Sequence, residues 1–408
     1  MPNIVMAFVM LIILSSVPSA QAAEFEVHPS LGVSGEFTDN VFETSTNRIS
    51  DYITRALPGV VMSYKAPLLA VNVDYLFDYR DYARNTHKDE VTHALSAKGQ
   101  LTAVQNLLFL DVSEEYQRVS LDVTRDVTRE SLFVNQSDRN VVSASPYITV
   151  QPTARIAVKS GYRFVDTIYS SSLGVDKTDH VAFLNMTYEL VKRWSLTADY
   201  AFTRELADND DFNRHQILGG FRYEYADKSF LFAQGGNTRI RYERGRSFDN
   251  NIWNAGLTHQ FDTATATIVT GVRYNEDPLR NIIQESFVSG TLEKRFERGT
   301  LGLSPYYSEY VLTETDSLQT KKYGAVAQGS YEILPDFNGR VALTSERYQQ
   351  WPLRNSTVRL QVDSGLSYLL ARLLTASFSY VYVDYSSPDI VADNRHVNRV
   401  MVELKKTF

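Results

Sequence analysis

Apolar and polar side chains alternate in Leu196-Thr197-Ala198-Asp199-Tyr200-Ala201-Phe202, with the largest apolar side chains on one side. A period of two is typical of a β-strand whose two faces meet different surroundings. The same alternation occurs at residues 71–79, 156–164, 358–363 and 400–405. No segment shows a sustained helical period. The pattern therefore predicts an all-β protein.

The composition excludes several classes of protein. The chain has 408 residues, with 25 Tyr, 21 Phe and no Cys, and its mean hydropathy is -0.25. Without Cys it has neither a disulfide framework nor a Cys-based metal site. Beyond the N-terminus, no apolar run reaches the roughly 18 residues of a membrane-spanning helix. The net charge of -7 argues against a nucleic-acid partner.

The N-terminal stretch predicts export. Residues 4–14 form an apolar core, and Ala20-Gln21-Ala22 matches the small-residue cleavage pattern of a signal peptide, so cleavage is expected before Ala23. The core departs from the usual pattern because no Lys or Arg precedes it. Residues 1–22 are assigned to the signal peptide and residues 23–408 to an outer-membrane β-barrel.

Two kinds of connection alternate along the exported part of the chain. Nine short turns, for example at residues 65–67 and 192–193, alternate with ten longer polar loops, for example at residues 43–48 and 275–280. These connections predict about 20 strands, within a range of roughly 16–22. An even number of strands places both termini on one side, as bacterial transmembrane barrels require.

Strand length favours a membrane barrel over a soluble sandwich. About 14 residues per strand, tilted by about 40°, rise roughly 35 Å, which exceeds the apolar band of about 25 Å. Strands of soluble sandwiches are shorter, at about 5–6 residues, and in lipid only closure pairs every backbone group. We therefore predict a single transmembrane antiparallel up-and-down β-barrel in the outer membrane of a Gram-negative bacterium. Its turns are expected to be periplasmic and its longer loops extracellular.

Aromatic residues and the C-terminus agree with this placement. Tyr75, Trp194 and Tyr380 lie near strand ends and suit two girdles at the membrane interfaces, with their polar atoms among lipid headgroups. The chain ends at Phe408, preceded by apolar residues at positions 400, 402 and 404, although Lys406 departs from that phase. This ending resembles the outer-membrane assembly signal. Outer-membrane lipids, lipopolysaccharide and the barrel-assembly machinery are therefore the expected partners.

The phase opposite the apolar one is predicted to line a hydrated lumen. It carries nine acidic and eleven basic residues, so the count predicts no strong charge selectivity. Paired packing of these side chains across strands is the alternative for each single residue. The candidate lumen-lining residues are Asp74, Asp78, Arg80, Arg155, Lys159, Arg163, Asp199, Arg222, Glu224, Arg273, Glu293, Arg295, Tyr306, Arg359 and Asp363.

The longest loop is the candidate constriction. The strands and their connections use the whole exported chain, so the sequence leaves no residues for a folded plug domain. A wide pore without a plug leaks, and residues 122–139 are therefore expected to fold inward. Arg125, Asp126, Arg129 and Glu130 would then line the narrowest part.

Motifs for catalysis are missing from the sequence. It has no G-x-S-x-G, no G-x-x-x-x-G-K-[ST] and no H-E-x-x-H. The seven histidines are scattered, and the acidic stretch 208–211 lacks the spacing and the glycine of an EF-hand. We predict no enzyme activity, no cofactor and no metal site. A barrel hydrolase assembled from several strands remains the alternative.

The opening of the exported chain resembles a known family. Residues 31–42 read LGVSGEFTDNVF, with Thr38-Asp39-Asn40 at the end of the first strand, and residues 50–60 pass through Pro58-Gly59. They resemble the β-barrel porin-2 group and, more narrowly, the outer-membrane proteins associated with PEP-CTERM systems. The resemblance covers roughly the first 60 exported residues and implies a role in exopolysaccharide export or surface assembly. From the residues alone, Thr38-Asp39-Asn40 is expected to form a turn rather than a sugar site, and Pro58 to lie at a bulge or where the ladder needs no donor.

The predicted function is passive passage of a polar polymer, exopolysaccharide, through the lumen. Periplasmic export components would supply the energy, since nothing in the sequence binds a nucleotide. Inward Tyr306 is a candidate for stacking on sugar rings. Two alternatives remain open: a general diffusion porin for small solutes, and a non-conducting scaffold in the outer membrane. The oligomeric state is not determined by the sequence.

Overall fold

The computed structural model describes residues 23–122, 134–208, 210–245, 247–313 and 315–408. These residues form 20 strands and one 3-10 turn, Val391–Asp393. The first ten strands are β1 Glu24–Thr38, β2 Asp51–Lys65, β3 Leu69–Tyr82, β4 Glu90–Val104, β5 Leu108–Ser120, β6 Gln136–Thr153, β7 Ile156–Tyr169, β8 Lys177–Val191, β9 Trp194–Ala207 and β10 Phe212–Ala226. The others are β11 Ser229–Tyr242, β12 Ser247–Gln260, β13 Ala264–Asp277, β14 Arg280–Phe296, β15 Gly299–Leu312, β16 Ser317–Leu334, β17 Phe337–Gln350, β18 Asn355–Ala371, β19 Leu374–Ser386 and β20 Arg395–Thr407. Within the described ranges, no helix is long and apolar enough to cross a membrane.

The strands close into one barrel. Each strand pairs antiparallel with its neighbours in sequence, and β20 pairs with β1 from Ser30↔Thr407 to Thr38↔Arg399. Closure leaves no sheet edge, and this is the only way in which a sheet satisfies its backbone groups inside lipid. The prediction of a 20-strand antiparallel up-and-down barrel is confirmed.

The two ends of the barrel differ in their connections. At one end, here the turn end, nine hairpins are joined by two or three residues, as in the turns at 192–193 and 335–336. The opposite end, here the loop end, carries the other connections, such as residues 39–50 and 387–394. The predicted long loop at residues 275–280 is different: β13 continues to Asp277 and β14 begins at Arg280, so two residues join them. Both strands continue because Glu276 and Asp277 pair with Ile282 and Arg280.

Three prolines interrupt the ladder, each on one side of its strand. The β2–β3 register steps from Ala56 to Gly59 past Pro58. In the same way, the β6–β7 register passes over Pro146, and the β14–β15 register passes over Pro305. Proline has no N–H to donate, so the ladder has a gap on the side where that donor is missing.

The register divides the side chains into two faces. Thr291 of β14, Asp363 of β18 and Arg55 of β2 line a single cavity although β14 and β2 lie far apart around the wall, so their face is the inner one. Residues of the opposite parity, such as Leu196 (41% exposed) and Val402 (56% exposed), form the outer face. An outer face of exposed apolar side chains is expected for a surface that contacts lipid.

Candidate functional site

The lumen contains an open cavity of about 670 Å³. Short hydroxyl and amide side chains from β14 to β19 form much of its lining, and charged residues of the same strands (Glu293, Arg340 and Asp363) and of β1, β2 and β20 (Glu36, Arg55 and Arg399) complete it. The neutral polar residues on the inner-face parity are Thr291, Thr300, Ser304, Gln328, Ser330 and Ser379. Such groups donate and accept hydrogen bonds without carrying charge, and their small size leaves the space open.

Ion pairs connect the strands on both sides of the closure between β20 and β1. Glu36 is 3% exposed and receives Arg399 Nε on Oε1 at 2.7 Å and Arg55 Nη1 on Oε2 at 3.3 Å. Arg55 also donates to both oxygens of Asp78, with Nε–Oδ1 at 3.0 Å. A buried carboxylate costs free energy unless it is paired and hydrogen-bonded, and this geometry meets both conditions.

The same chain of pairs continues to β6. Arg80 donates to Asp78 at 2.7 Å and to Glu90 at 3.4 Å, and Arg118 joins Glu90 to Asp138 at 2.7 Å and 2.8 Å. The β4–β5 register ends at Leu95↔Tyr116, so the Arg118–Glu90 pair joins two strands beyond their last backbone pair. We call these residues the charge ladder: Arg399, Glu36, Arg55, Asp78, Arg80, Glu90, Arg118 and Asp138. Its signs alternate, so it adds no net charge to the wall.

A second cluster of charges is centred on Glu346 of β17. Its carboxylate, 6% exposed, receives Lys322 Nζ at 3.1 Å and Arg359 Nη1 at 2.9 Å, and the hydroxyls of Tyr306 and Tyr348 also donate to it. Tyr306 is therefore bonded to the wall through its hydroxyl. Lys322 Nζ lies 5.3 Å from its ring centroid. A sugar contact at Tyr306 would have to share this occupied position.

Aromatic rings lie against the inner wall between β5 and β8. Phe109 and Tyr147 stack with centroids 5.3 Å apart, and Lys159 Nζ stands 3.7 Å from the Tyr147 centroid. Gly161 lies between Tyr147 and Phe183. A Cβ added at this glycine would be 2.6 Å from Tyr147 Cβ and 2.9 Å from Phe183 Cζ. The glycine thus lets both rings lie close to the wall, where the lysine covers one of them.

A seam divides the wall between β12 and β13 at the loop end. Their last backbone pair is Trp253↔Val272, although β12 stays paired with β11, and β13 with β14, nearer the loop end. Across the seam Asn250 Nδ2 donates to Tyr274 Oη at 3.0 Å and to Gln284 Oε1 at 3.3 Å. Side chains rather than backbone bonds therefore join the two strands here.

The β13–β14 hairpin leans inward over the loop end of the lumen. Ile282 packs with Phe212 and Ile240, which belong to β10 and β11, and all three are at most 3% exposed. At the hairpin tip Val175 N donates to Pro278 O at 2.8 Å, which joins this hairpin to the β7–β8 loop, five strands away along the wall. Contacts over that distance require the hairpin to reach across the mouth.

Other loops surround the hairpin tip. A cavity of about 440 Å³ lies beside it, and its lining combines the tip with the loops before β6 and β18 and with the start of β16. The lining residues include Leu121, Asn135, Asp277, Leu279, Gln319 and Trp351. In this structure the loop end is thus covered, whereas the 670 Å³ cavity lies open in the lumen below it.

The predicted lumen residues fall on the inner face by register, with one exception. Arg155 lies in the turn between β6 and β7. The predicted constriction residues Arg125, Asp126, Arg129 and Glu130 lie outside the described residues. Those on the inner-face parity are Asp74, Asp78, Arg80, Lys159, Arg163, Asp199, Arg222, Glu224, Arg273, Glu293, Arg295, Tyr306, Arg359 and Asp363.

The family-like motif serves the closure of the barrel. Asn398 N and Nδ2 donate to the Asp39 carboxylate, each at 2.7 Å, which ties the β1–β2 loop to β20. Asn40, 1% exposed, donates to Thr44 O at 2.9 Å and to His396 O at 3.0 Å. These contacts make Asp39 and Asn40 part of a tethered turn. At the other end of the closure, Phe408 N donates to Pro29 O at 2.8 Å.

Two features of the site were not predicted from the sequence: the inward positions of Glu36 and Arg55, and the inward lean of the β13–β14 hairpin. The period of two in β1 places Glu36 with Ser34 and opposite Val33 and Phe37, so its inward position had a signal. In β2 the inner parity mixes Asp51, Ile53 and Leu57 with Arg55, and no polar phase is visible there. The inward lean of the β13–β14 hairpin had no sequence signal, because it depends on contacts with β7–β8, β10 and β11.

No protein-family model and no curated protein sequence matches this chain. Solved structures do resemble it. The FrpB iron transporter from Neisseria meningitidis is 8% identical, with a TM-score of 0.55 over 93% of this chain and 82% of that chain. The siderophore receptor PirA from Pseudomonas aeruginosa is 10% identical, with a TM-score of 0.52 over 95% and 81%. The ferric-catecholate import receptor Fiu from E. coli is 10% identical, with a TM-score of 0.50 over 93% and 81%.

At these identities the likeness concerns the fold. The chain has the fold of Gram-negative outer-membrane β-barrels of the channel and transporter type. The named neighbours are transport proteins and receptors rather than enzymes.

Proposed function

We propose that this barrel is an outer-membrane pore through which exopolysaccharide passes to the cell surface. The observation that carries the proposal is the lining of the 670 Å³ cavity, where hydroxyl and amide side chains face open space. A polysaccharide is a chain of hydroxyl groups, and such a wall exchanges hydrogen bonds with it at every position. A wall of small polar groups binds no single sugar tightly, which favours passage over capture.

The pairing of charges supports a neutral path. The charge ladder and the Glu346 cluster tie their carboxylates to guanidinium or ammonium groups of the same wall. Paired charges attract a passing ion or sugar less strongly than isolated ones do. The lumen therefore selects for polarity and width more than for the sign of charge.

The covered loop end makes this a gated pore. The β13–β14 hairpin, held by Ile282 and by the Val175–Pro278 bond, has to move before a polymer leaves the barrel. The seam at Trp253↔Val272 supplies the pivot, because nearer the loop end no β12–β13 backbone pair has to break. The hairpin thus constricts the loop end, and the constriction expected from residues 122–139 stays a prediction, because residues 123–133 lie outside the described ranges.

The resemblance of residues 31–60 to proteins associated with PEP-CTERM systems supports the choice of polymer. Within this proposal, periplasmic export components deliver the polysaccharide and supply the energy. The barrel itself sits among outer-membrane lipids and lipopolysaccharide, after insertion by the barrel-assembly machinery, which reads the Phe408 end.

Single-channel conductance of the refolded protein in a planar bilayer tests the proposal. Exopolysaccharide purified from the native cells is added on the turn-end side, with dextran as a neutral polymer of known length. Conductance steps that either polymer blocks support an export pore. Conductance steps that neither polymer blocks would indicate a general diffusion porin instead. A folded barrel without conductance would indicate a scaffold.

A matched pair of variants locates the path. Gln328 lines the cavity, whereas its neighbour Ala327 has the opposite parity on the same strand. Gln328→Leu is expected to shorten polymer block events because it removes an amide from the path. Ala327→Leu faces lipid and is expected to leave the block unchanged. Equal effects of the two substitutions would contradict the assignment of the inner wall.

A further inference from the structure

One arrangement of three aromatic side chains recurs on the outer face. In the β3–β4, β7–β8 and β9–β10 hairpins a tyrosine and a phenylalanine two residues apart surround a histidine of the next strand. Each histidine is the direct register partner of its phenylalanine, and each tyrosine hydroxyl lies 2.5–3.0 Å from histidine Nδ1. The three triads are Tyr75, Phe77 and His93; Tyr162, Phe164 and His180; and Tyr200, Phe202 and His215.

The triads lie at one level of the barrel. Each phenylalanine stands five residues before the last residue of its strand, as Phe77 does before Tyr82. Each histidine stands three residues after the first residue of its strand, as His93 does after Glu90. Because the triad has the same position in three hairpins, all three triads contact the same layer of the barrel's surroundings.

The hydrogen bonds leave one polar group of each imidazole facing outward. A neutral imidazole has one acceptor nitrogen and one donor N–H. In the Nε2–H tautomer the tyrosine hydroxyl donates to Nδ1 and the hydrogen lies on Nε2, from which no described residue accepts. The hydroxyl of Tyr75, which the sequence assigns to the aromatic girdle, is bonded to His93. The Nε2–H groups of His93, His180 and His215 therefore face the surroundings of the barrel.

We propose that this triad belt binds phosphate groups of lipid headgroups. The belt lies on the lipid-facing parity near the loop end, at the level where an aromatic girdle meets headgroups. An unpaired donor in this layer is costly, and phosphate oxygens are the strongest acceptors that the layer offers. Each phenylalanine ring packs against its histidine, edge-on for Phe77 and tilted for Phe164 and Phe202, and so restrains the direction of the histidine donor.

Solid-state NMR on protein with ¹⁵N-labelled histidine tests the inference without relying on conductance. In phosphatidylglycerol bilayers we expect ¹⁵N–³¹P dephasing at Nε2, with Nδ1 unprotonated. In galactolipid bilayers with added inorganic phosphate we expect none, and dephasing there would assign the site to free phosphate rather than to a headgroup. Absence of dephasing in phosphatidylglycerol, or a proton on Nδ1, would overturn the proposal in the unaltered protein.

Histidine variants show which residues give the ¹⁵N–³¹P dephasing. The triple variant His93→Phe, His180→Phe, His215→Phe is expected to lose the dephasing assigned to the belt, while His259, which bonds Tyr225 at the turn end, is left unaltered. His28→Phe, on the inner-face parity of β1, is the control and is expected to lose nothing. If the triple variant does not refold, the three single variants carry the same comparison. Dephasing that survives unchanged in them would refute the assignment to the belt.

Discussion

Replacement of Glu36 by glutamine tests whether the charge ladder holds the barrel closed. Glu36 is 3% exposed, and its two oxygens receive guanidinium groups from β20 and β2 at 2.7 Å and 3.3 Å. Breaking a buried ion pair costs about 3–5 kcal/mol, since it leaves a buried charge without its partner. Glutamine keeps the shape and one acceptor, so we expect Glu36→Gln to lower the free energy of unfolding by about 2–4 kcal/mol.

The matched control lies on the same strand. Glu26 shares the parity of Glu36, but its side chain is 67% exposed and its contact with His28 is 3.7 Å long. Exposed ion pairs contribute about 0–1 kcal/mol, so Glu26→Gln is expected to change the free energy of unfolding by less than about 0.5 kcal/mol. Both substitutions remove one negative charge from the inner face of β1. A difference between them therefore reports burial and pairing rather than net charge.

The assay is urea unfolding of the refolded barrel in detergent micelles, followed by tryptophan fluorescence, with the mobility shift of folded protein on gels as a second readout. A double-mutant cycle with Arg399→Gln isolates the pair across the closure. Equal losses for Glu36→Gln and Glu26→Gln, or a coupling energy near zero with Arg399, would refute the reasoning. The charge ladder would then be a surface arrangement with no part in closure.

Three further outcomes are expected. Because the chain has no cysteine, Val175→Cys with Pro278→Cys gives one defined crosslink, at Cα atoms about 5 Å apart. Oxidation of this pair is expected to lower the single-channel conductance, and dithiothreitol to restore it. A conductance that does not depend on the redox state would show that the hairpin has no part in gating. Gly161→Ala puts a Cβ 2.5 Å from a backbone oxygen and is expected to cost about 1–3 kcal/mol in urea unfolding. The control Gly35→Ala meets nothing within 4 Å and is expected to cost less. Asn40→Ala removes the bond from the β1–β2 loop to His396 O of β20 and the bond to Thr44 O within the loop, so proteolysis of that loop is expected to speed up. An unchanged cleavage rate would show that these two bonds do not restrain the loop.

The strands could be predicted from the sequence because each strand has one face toward lipid and one face toward the lumen along its length. The alternation at residues 196–202 predicted a strand, and the structure places β9 over Trp194–Ala207 with Asp199 on the inner-face parity. Prolines were equally informative, since the missing N–H of Pro58 has to fall where the ladder has a gap. Connections were less so: residues 275–280 are polar, yet most of them pair as strand.

The charged side chains show the limit of that local signal. Period two places Glu36 on the inner face of its own strand, but it does not say which cation it meets. Its partner Arg399 is 363 positions away in the chain, on the last strand. Only the register between β20 and β1 brings the two together, and that register depends on every strand between them.

By itself, the sequence determined that this chain is a membrane barrel of about 20 antiparallel strands, and which parity of most strands is polar. These properties follow from local periodicity and from the need to pair every backbone group in lipid. Only the tertiary structure decided which charges meet, that histidines occupy the girdle tyrosines, and that the β13–β14 hairpin covers the mouth. Those properties depend on strand register and on contacts between hairpins distant in sequence, and no local pattern records them.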